Sequence, residues 1–256
     1  MATVTVTPAK NAPSALSSPD LRYEHLFFSG MSVLMLLTAF FGFARTYYLA
    51  GMFRAPLPSL IIHIHGAAFT CWILLLVTQT SLVAADRTDI HRKLGVAGFC
   101  LATVMVVLGM MAGTDNLLRA HDVAGRDPRI FYIVPLTDML LFGTFIYFAF
   151  RSRINPPAHK RYIFLATTAI LVAAIARLPL AFSQRNNPVD GVLSDLFLLA
   201  LIAYDLWSTR KIHRATFRSG IFLVIVQQSR MPIGKTALWH AFAAWVQNHA
   251  GRLFHH

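Results

Sequence analysis

Six apolar runs, each reaching or approaching the length of a bilayer crossing, constrain this chain more than any other feature. They fall near Phe27–Phe43, Leu60–Ala84, Leu94–Gly113, Ile130–Phe150, Tyr162–Phe182 and Val189–Trp207. A helix needs about 20 mainly apolar residues to cross ~30 Å of hydrocarbon. A soluble domain of 256 residues does not require so much uninterrupted apolar sequence, and a 56% hydrophobic content agrees. In lipid every backbone N–H and C=O must be paired internally, so the runs are helices or strands of a closed barrel. They lack the apolar/polar alternation of a barrel wall. The expected fold is therefore all-α, a polytopic transmembrane helical bundle with six or seven spans.

The chain divides into three parts. Residues 1–26 are rich in Ala, Ser, Thr and Pro without an apolar h-region, which reads as a disordered tail rather than a cleaved signal peptide. Residues 27–218 form the six-helix membrane domain. Residues 219–256 are ambiguous. Gly220–Val226 is apolar, but Gln227, Gln228, Arg230 and Pro232 follow, and then Leu238, Phe242, Trp245 and Val246 recur at helical spacing. This segment is either a seventh helix, broken at Met231–Gly234, or a shallow segment followed by an interfacial amphipathic helix. A crossing would bury Arg230, which is costly unless the charge is paired.

The net charge of +12 does not point to nucleic acid, because the basic residues are scattered through short loops. They read as topology signals and contacts for membrane lipid, with other membrane proteins as further candidate partners. The side of the N-terminus receives thirteen Lys and Arg from tail and loops, the other side six. By the positive-inside rule the N-terminus is cytoplasmic and the protein sits in the inner (cytoplasmic) membrane. All seven tyrosines lie at or near run ends, as an aromatic belt requires. Cys71 and Cys100 both fall inside apolar runs, which excludes a disulfide framework; they read as small buried hydrophobes.

Polar residues concentrate at two levels. At the cytoplasmic ends of the odd-numbered helices stand His25, His91, His159 and His213, spaced 66, 68 and 54 residues apart, about one helical hairpin each. A polar inward start to any helix explains this pattern. The sharper reading brings His91 and His159 together as axial ligands of haem b, with Arg92, Lys93, Lys160 and Arg161 holding its propionates. In the outer half lie His63 and His65, about 6–9 Å into the second helix, and Asp138, about 12 Å into the fourth. Arg177 near the outer end of the fifth and Asp195 about 9 Å into the sixth reach similar depth and are expected to pair, for structure or for function. His63 and His65 are about 200° apart around a helix and cannot share one small site. Small-residue patterns such as Gly109-Met110-Met111-Ala112-Gly113 suit close helix packing. No protein metal site is expected beyond these residues. GxxxxGK[ST], GxGxxG, HExxH and CxxC are all missing, so nucleotide hydrolysis and zincin chemistry have no support.

The run His63-Ile64-His65-Gly66, with Trp72, Gln79 and Leu82 and then His91-Arg92-Lys93-Leu94-Gly95, resembles a pattern in bacterial predicted multi-spanning membrane proteins of unknown function. His159-Lys160-Arg161-Tyr162 with Arg177-Leu178 extends it, over residues 59–182 in all. That resemblance implies a helical bundle and brings no established activity. A looser likeness to transmembrane b-type cytochromes implies histidines on different helices ligating haem; the outer histidines depart from it, since both are on one helix. Three function classes follow: an accessory or assembly protein without chemistry of its own, a haem- or metal-bearing membrane redox protein, and a small proton-coupled transporter.

Overall fold

The computed structural model describes residues 18–55, 58–119, 127–178 and 187–254, and all their regular structure is helical. The elements are α1 (Ser18–Phe43), α2 (Leu60–Ala84), α3 (Thr88–Leu118), a single turn α4 (Pro128–Phe131), α5 (Ile133–Arg151), α6 (Pro156–Ile175), α7 (Asn187–Thr209), α8 (Arg214–Gly234) and α9 (Ala237–Phe254). α1 takes in the last nine residues, 18–26, of the segment expected to be a tail. The rest of that tail, residues 1–17, lies outside the described residues, as does the end of the fifth apolar run beyond Leu178. Six helical stretches are long and apolar enough to cross a membrane: Arg22–Tyr48, Leu60–Ala84, Thr88–Leu118, Pro128–Arg151, Pro156–Ile175 and Gly191–Thr209. The chain is an all-α, multi-pass membrane protein.

Local chemistry sets the helix ends. Asp86, at φ 57°, makes the tight turn between α2 and α3. Pro156 and Pro157 open α6, where a missing N–H costs nothing. Asp127 caps α4 by accepting from the Arg129 N–H. Arg210, also at φ 57°, ends α7, and the His213 ring accepts from the Ala215 N–H to cap α8. A five-residue π-turn, Ala44–Tyr48, continues α1 and swings Tyr47 and Tyr48 towards α2.

Five helices form a ring in the order α1, α2, α3, α5, α6, with α6 returning against α1. α7 and α8 pack outside this ring, α7 on α6 and α8 on α5, α6 and α7. The apolar stretch of α6 is 67% buried while those of α1 and α2 are 17% buried, so α6 is the shared inner wall and α1 and α2 face outwards. That placement also turns Cys71 and Cys100 to the exposed surface of α2 and α3, rather than into the interior. Two close approaches need glycine. A Cβ on Gly42 of α1 would stand 2.3 Å from the Ala174 carbonyl oxygen of α6, and one on Gly109 of α3 would meet the Met139 sulfur of α5 at 2.2 Å.

α8 runs the full height of the bundle. Its first residues meet Asp205 at the end of α7, and Gly234 at its far end packs against Ile130 and Ile133. The break expected at Met231–Gly234 falls just beyond its last residue. Pro232 falls in the last turn, the helix continues to Gly234, and the chain bends at Lys235–Thr236 into α9. The two readings of the C-terminal segment are thus combined: a continuous helix along the bundle, then an amphipathic helix across its end.

Candidate cofactor cavity and the buried polar network

α1, α3, α6 and α8 all begin at one end of the bundle, here the basic end. There a cavity of about 770 Å³ opens into the five-helix ring, bounded by α1, α2, α3, the end of α5 and α6. Its floor is apolar, with Met35, Trp72, Leu76 and Phe164, and its upper wall carries His25, His91 and His159. Three of the four histidines of the hairpin-spaced series therefore share one cavity, while His213 caps α8. The His91 and His159 ring centroids are 6.5 Å apart and their planes are nearly perpendicular, at 88°. Two imidazoles on opposite sides of one metal ion span roughly 6 Å, at about 2.0–2.1 Å per metal–nitrogen bond plus the ring radii. His159 Nδ1 lies 2.9 Å from the Ala149 carbonyl oxygen, so as a donor it leaves Nε2 with a free lone pair. Ser29 Oγ, Gln79 Oε1 and His91 Nδ1, all of cavity-lining residues, are buried without a hydrogen-bond partner.

The cations at this end are divided between two tasks. Lys160 pairs with Glu24 of α1 and lies 5.0 Å over the Phe28 ring. Arg161 points away from the cavity and donates to Asp205 Oδ1 from Nε, at 2.9 Å, and from Nη2. Asp205 Oδ2 then accepts from the His213 N–H at 3.0 Å and the Thr216 hydroxyl at 2.7 Å. The Asp205 carboxylate thus fastens α6, α7 and α8 together. It stands at the end of an apolar run among other polar residues, and nothing in the sequence distinguished it. Burial, with the Arg161 guanidinium nearby, holds the His213 imidazole below its ordinary range and keeps it neutral as a cap acceptor. Of the four cations expected to hold propionates, Arg161 is committed to Asp205 and Lys160 to Glu24. Arg92 lines the cavity, joined by Arg153 from the end of α5, which stacks on Phe150 at 4.4 Å.

The opposite end gathers the remaining polar residues differently from expectation. Arg177 and Asp195 form no ion pair. Arg177 donates to the Ala173 carbonyl at 2.6 Å and lies 4.8 Å from the Phe43 ring centroid, while Asp195 Oδ1 is buried without a partner. Equal depth was insufficient, because Arg177 lies in the turn past the end of α6 and its guanidinium reaches Phe43 of α1 rather than α7. Arg230 of α8 is instead fully buried and donates from Nη2 to Asp138 of α5 at 2.5 Å. His63 is exposed, its carbonyl accepting from the Tyr47 hydroxyl, and His65 turns inwards against Phe69 at 4.2 Å. The two histidines diverge, as their 200° separation requires. Among the described residues no three His, Cys, Asp or Glu side chains form a metal-ligand cluster. No family model matches this chain, and neither a curated protein nor a solved structure matches it.

Proposed function

We propose that this chain is a multi-pass inner-membrane protein that holds haem b in the basic-end cavity, where His91 and His159 would ligate its iron, and serves as an electron-carrying membrane component. The observation that carries the reading is the pair of imidazoles 6.5 Å apart on two helices at one depth. A volume of about 770 Å³ lies within the ~300–1,000 Å³ of cofactor pockets. An apolar floor with cations at the rim suits an apolar macrocycle bearing carboxylates at one edge, and Arg92 and Arg153 are the residues placed to hold those carboxylates. Haem supplies reversible one-electron chemistry; the protein supplies ligation, exclusion of water and the hydrogen bond that fixes the His159 tautomer. Two protein ligands suffice for haem, whereas a bare ion would want more ligands and fewer neighbouring cations. The Asp138–Arg230 ion pair ties α5 to α8 and supports a structural role for these two charges.

Protein purified from haem-replete cells is expected to show a Soret band that shifts and sharpens on dithionite reduction and is lost in both His91→Ala and His159→Ala. A folded, colourless preparation rejects haem and leaves an accessory or assembly role as the reading.

A further inference from the structure

α9 has two apolar faces, and only one is used inside the protein. Trp239, Ala243 and Val246 pack on Leu117 at the end of α3 and on Tyr132 at the start of α5. Two polar anchors fix the helix lengthwise. The Trp239 indole donates to the Arg129 carbonyl at 2.7 Å, and Gln247 donates to the Leu117 carbonyl at 3.1 Å while accepting from Arg129 Nε at 2.8 Å. Residues 239 and 247 are about 12 Å apart along a helix. α9 therefore lies across the ends of span-length helices rather than continuing away from them. The second face carries Leu238, Phe242 and Trp245, which are 82%, 42% and 56% exposed and follow one another at i, i+4 and i+7.

We infer that this second face is a lipid-docking surface seated at the headgroup–acyl boundary, on the side of the membrane opposite the cavity. The level of the helix is set by what it packs on, since Leu117 and Tyr132 end membrane-length helices and such ends lie at the interface. Its residue types suit that level: an aromatic pair and a leucine on one stripe, with His240, Gln247 and Asn248 off it. The docking also serves α8. That helix contains Gln227, Gln228 and Arg230 and is not among the stretches apolar enough to span by themselves. A lipid-seated helix joined to it by two residues holds its far end at the interface, where its own sequence would not.

The test uses full-length protein in vesicles of zwitterionic and anionic phosphatidyl lipids, with Trp245 read as the difference in emission between the parent and Trp245→Phe. Bromine on the acyl chain near the headgroup should quench this emission, bromine near the chain end should quench it less, and aqueous acrylamide should leave most of it. Substituting Phe242→Glu should raise the acrylamide sensitivity of Trp245 while circular dichroism stays unchanged. Emission that is insensitive to both brominated lipids overturns the inference. So does stronger quenching from the chain end than from the headgroup end.

Discussion

Asp138 and Arg230 stand on helices that are far apart in sequence, and each is tolerable inside the bundle only because of the other. Removing one partner of a buried pair leaves an uncompensated charge, at a cost of about 3–5 kcal/mol, whereas replacing both by apolar residues of similar size costs far less. Asp138→Leu and Arg230→Met are each expected to lower thermal stability strongly, and the double variant to recover most of the loss. Strict additivity in melting experiments would show that the two do not interact. Arg177→Ala and Asp195→Ala, by contrast, should add, because the side chains engage different surroundings. The sequence made depth legible but not azimuth. Residue counting put Arg177 and Asp195 at one height, and it could not show that α8 turns Arg230 towards α5. That His91 and His159 stand close together was legible because hairpin-length spacing puts both at the start of a helix at one end of the bundle. Asp205 was not, since its role depends on three helices converging at one carboxylate.

At the scale of elements, α8 shows how a helix of modest hydropathy is held. Its N-terminus is fixed by Asp205 and by the neutral His213 ring, which accepts the Ala215 N–H. A histidine whose folded pKa is lowered binds its proton more readily when unfolded. Its penalty is absent above the unfolded value near 6.5, grows as pH falls below it, and levels off once the folded imidazole is also protonated. Stability should therefore decline on acidification through that window. His213→Asn, which keeps a side-chain acceptor, should flatten this limb of the pH profile, and His213→Ala should cost about 1 kcal/mol at neutral pH through loss of the cap. Melting temperatures between pH 5 and pH 8 distinguish these outcomes, and an unchanged slope in His213→Asn would assign the acid limb to other groups. The apolar runs announced six helices, while α8 was half-legible because its one buried charge is paired by Asp138 of α5, a tertiary partner that the local pattern does not contain, and its Gln227 side chain is buried without a partner.

For the whole molecule, the proposed orientation makes a direct prediction. A reporter active only in the cytoplasm should work when fused after Lys93, Ser152 or Arg210 and be silent after Pro56, Val123 or Asn187. With α8 crossing, a fusion at His256 should be silent as well; activity there would place α8 and α9 on the cytoplasmic side. The fold class was fully legible because lipid admits so few solutions for apolar runs, whereas the closure of α6 onto α1 was not, resting as it does on Gly42 meeting the Ala174 backbone. That contact has a mechanical consequence. With a carbonyl where a Cβ would be, the two helices have no slack at Gly42, so the crossing acts as a pivot. Glu24, at the other end of α1 and roughly 27 Å away along the helix, pairs with Lys160, and Phe27 and Phe28 pack on Phe164 to close the same seam. The arrangement is that of a pair of tongs, rigid at the joint and fastened at the tips. A tilt of α1 by about five degrees, with a lever arm of this length, parts the tips by roughly 2 Å. The cavity lies at the tips, so the same small motion that would scarcely disturb the joint widens the cavity wall between α1 and α6.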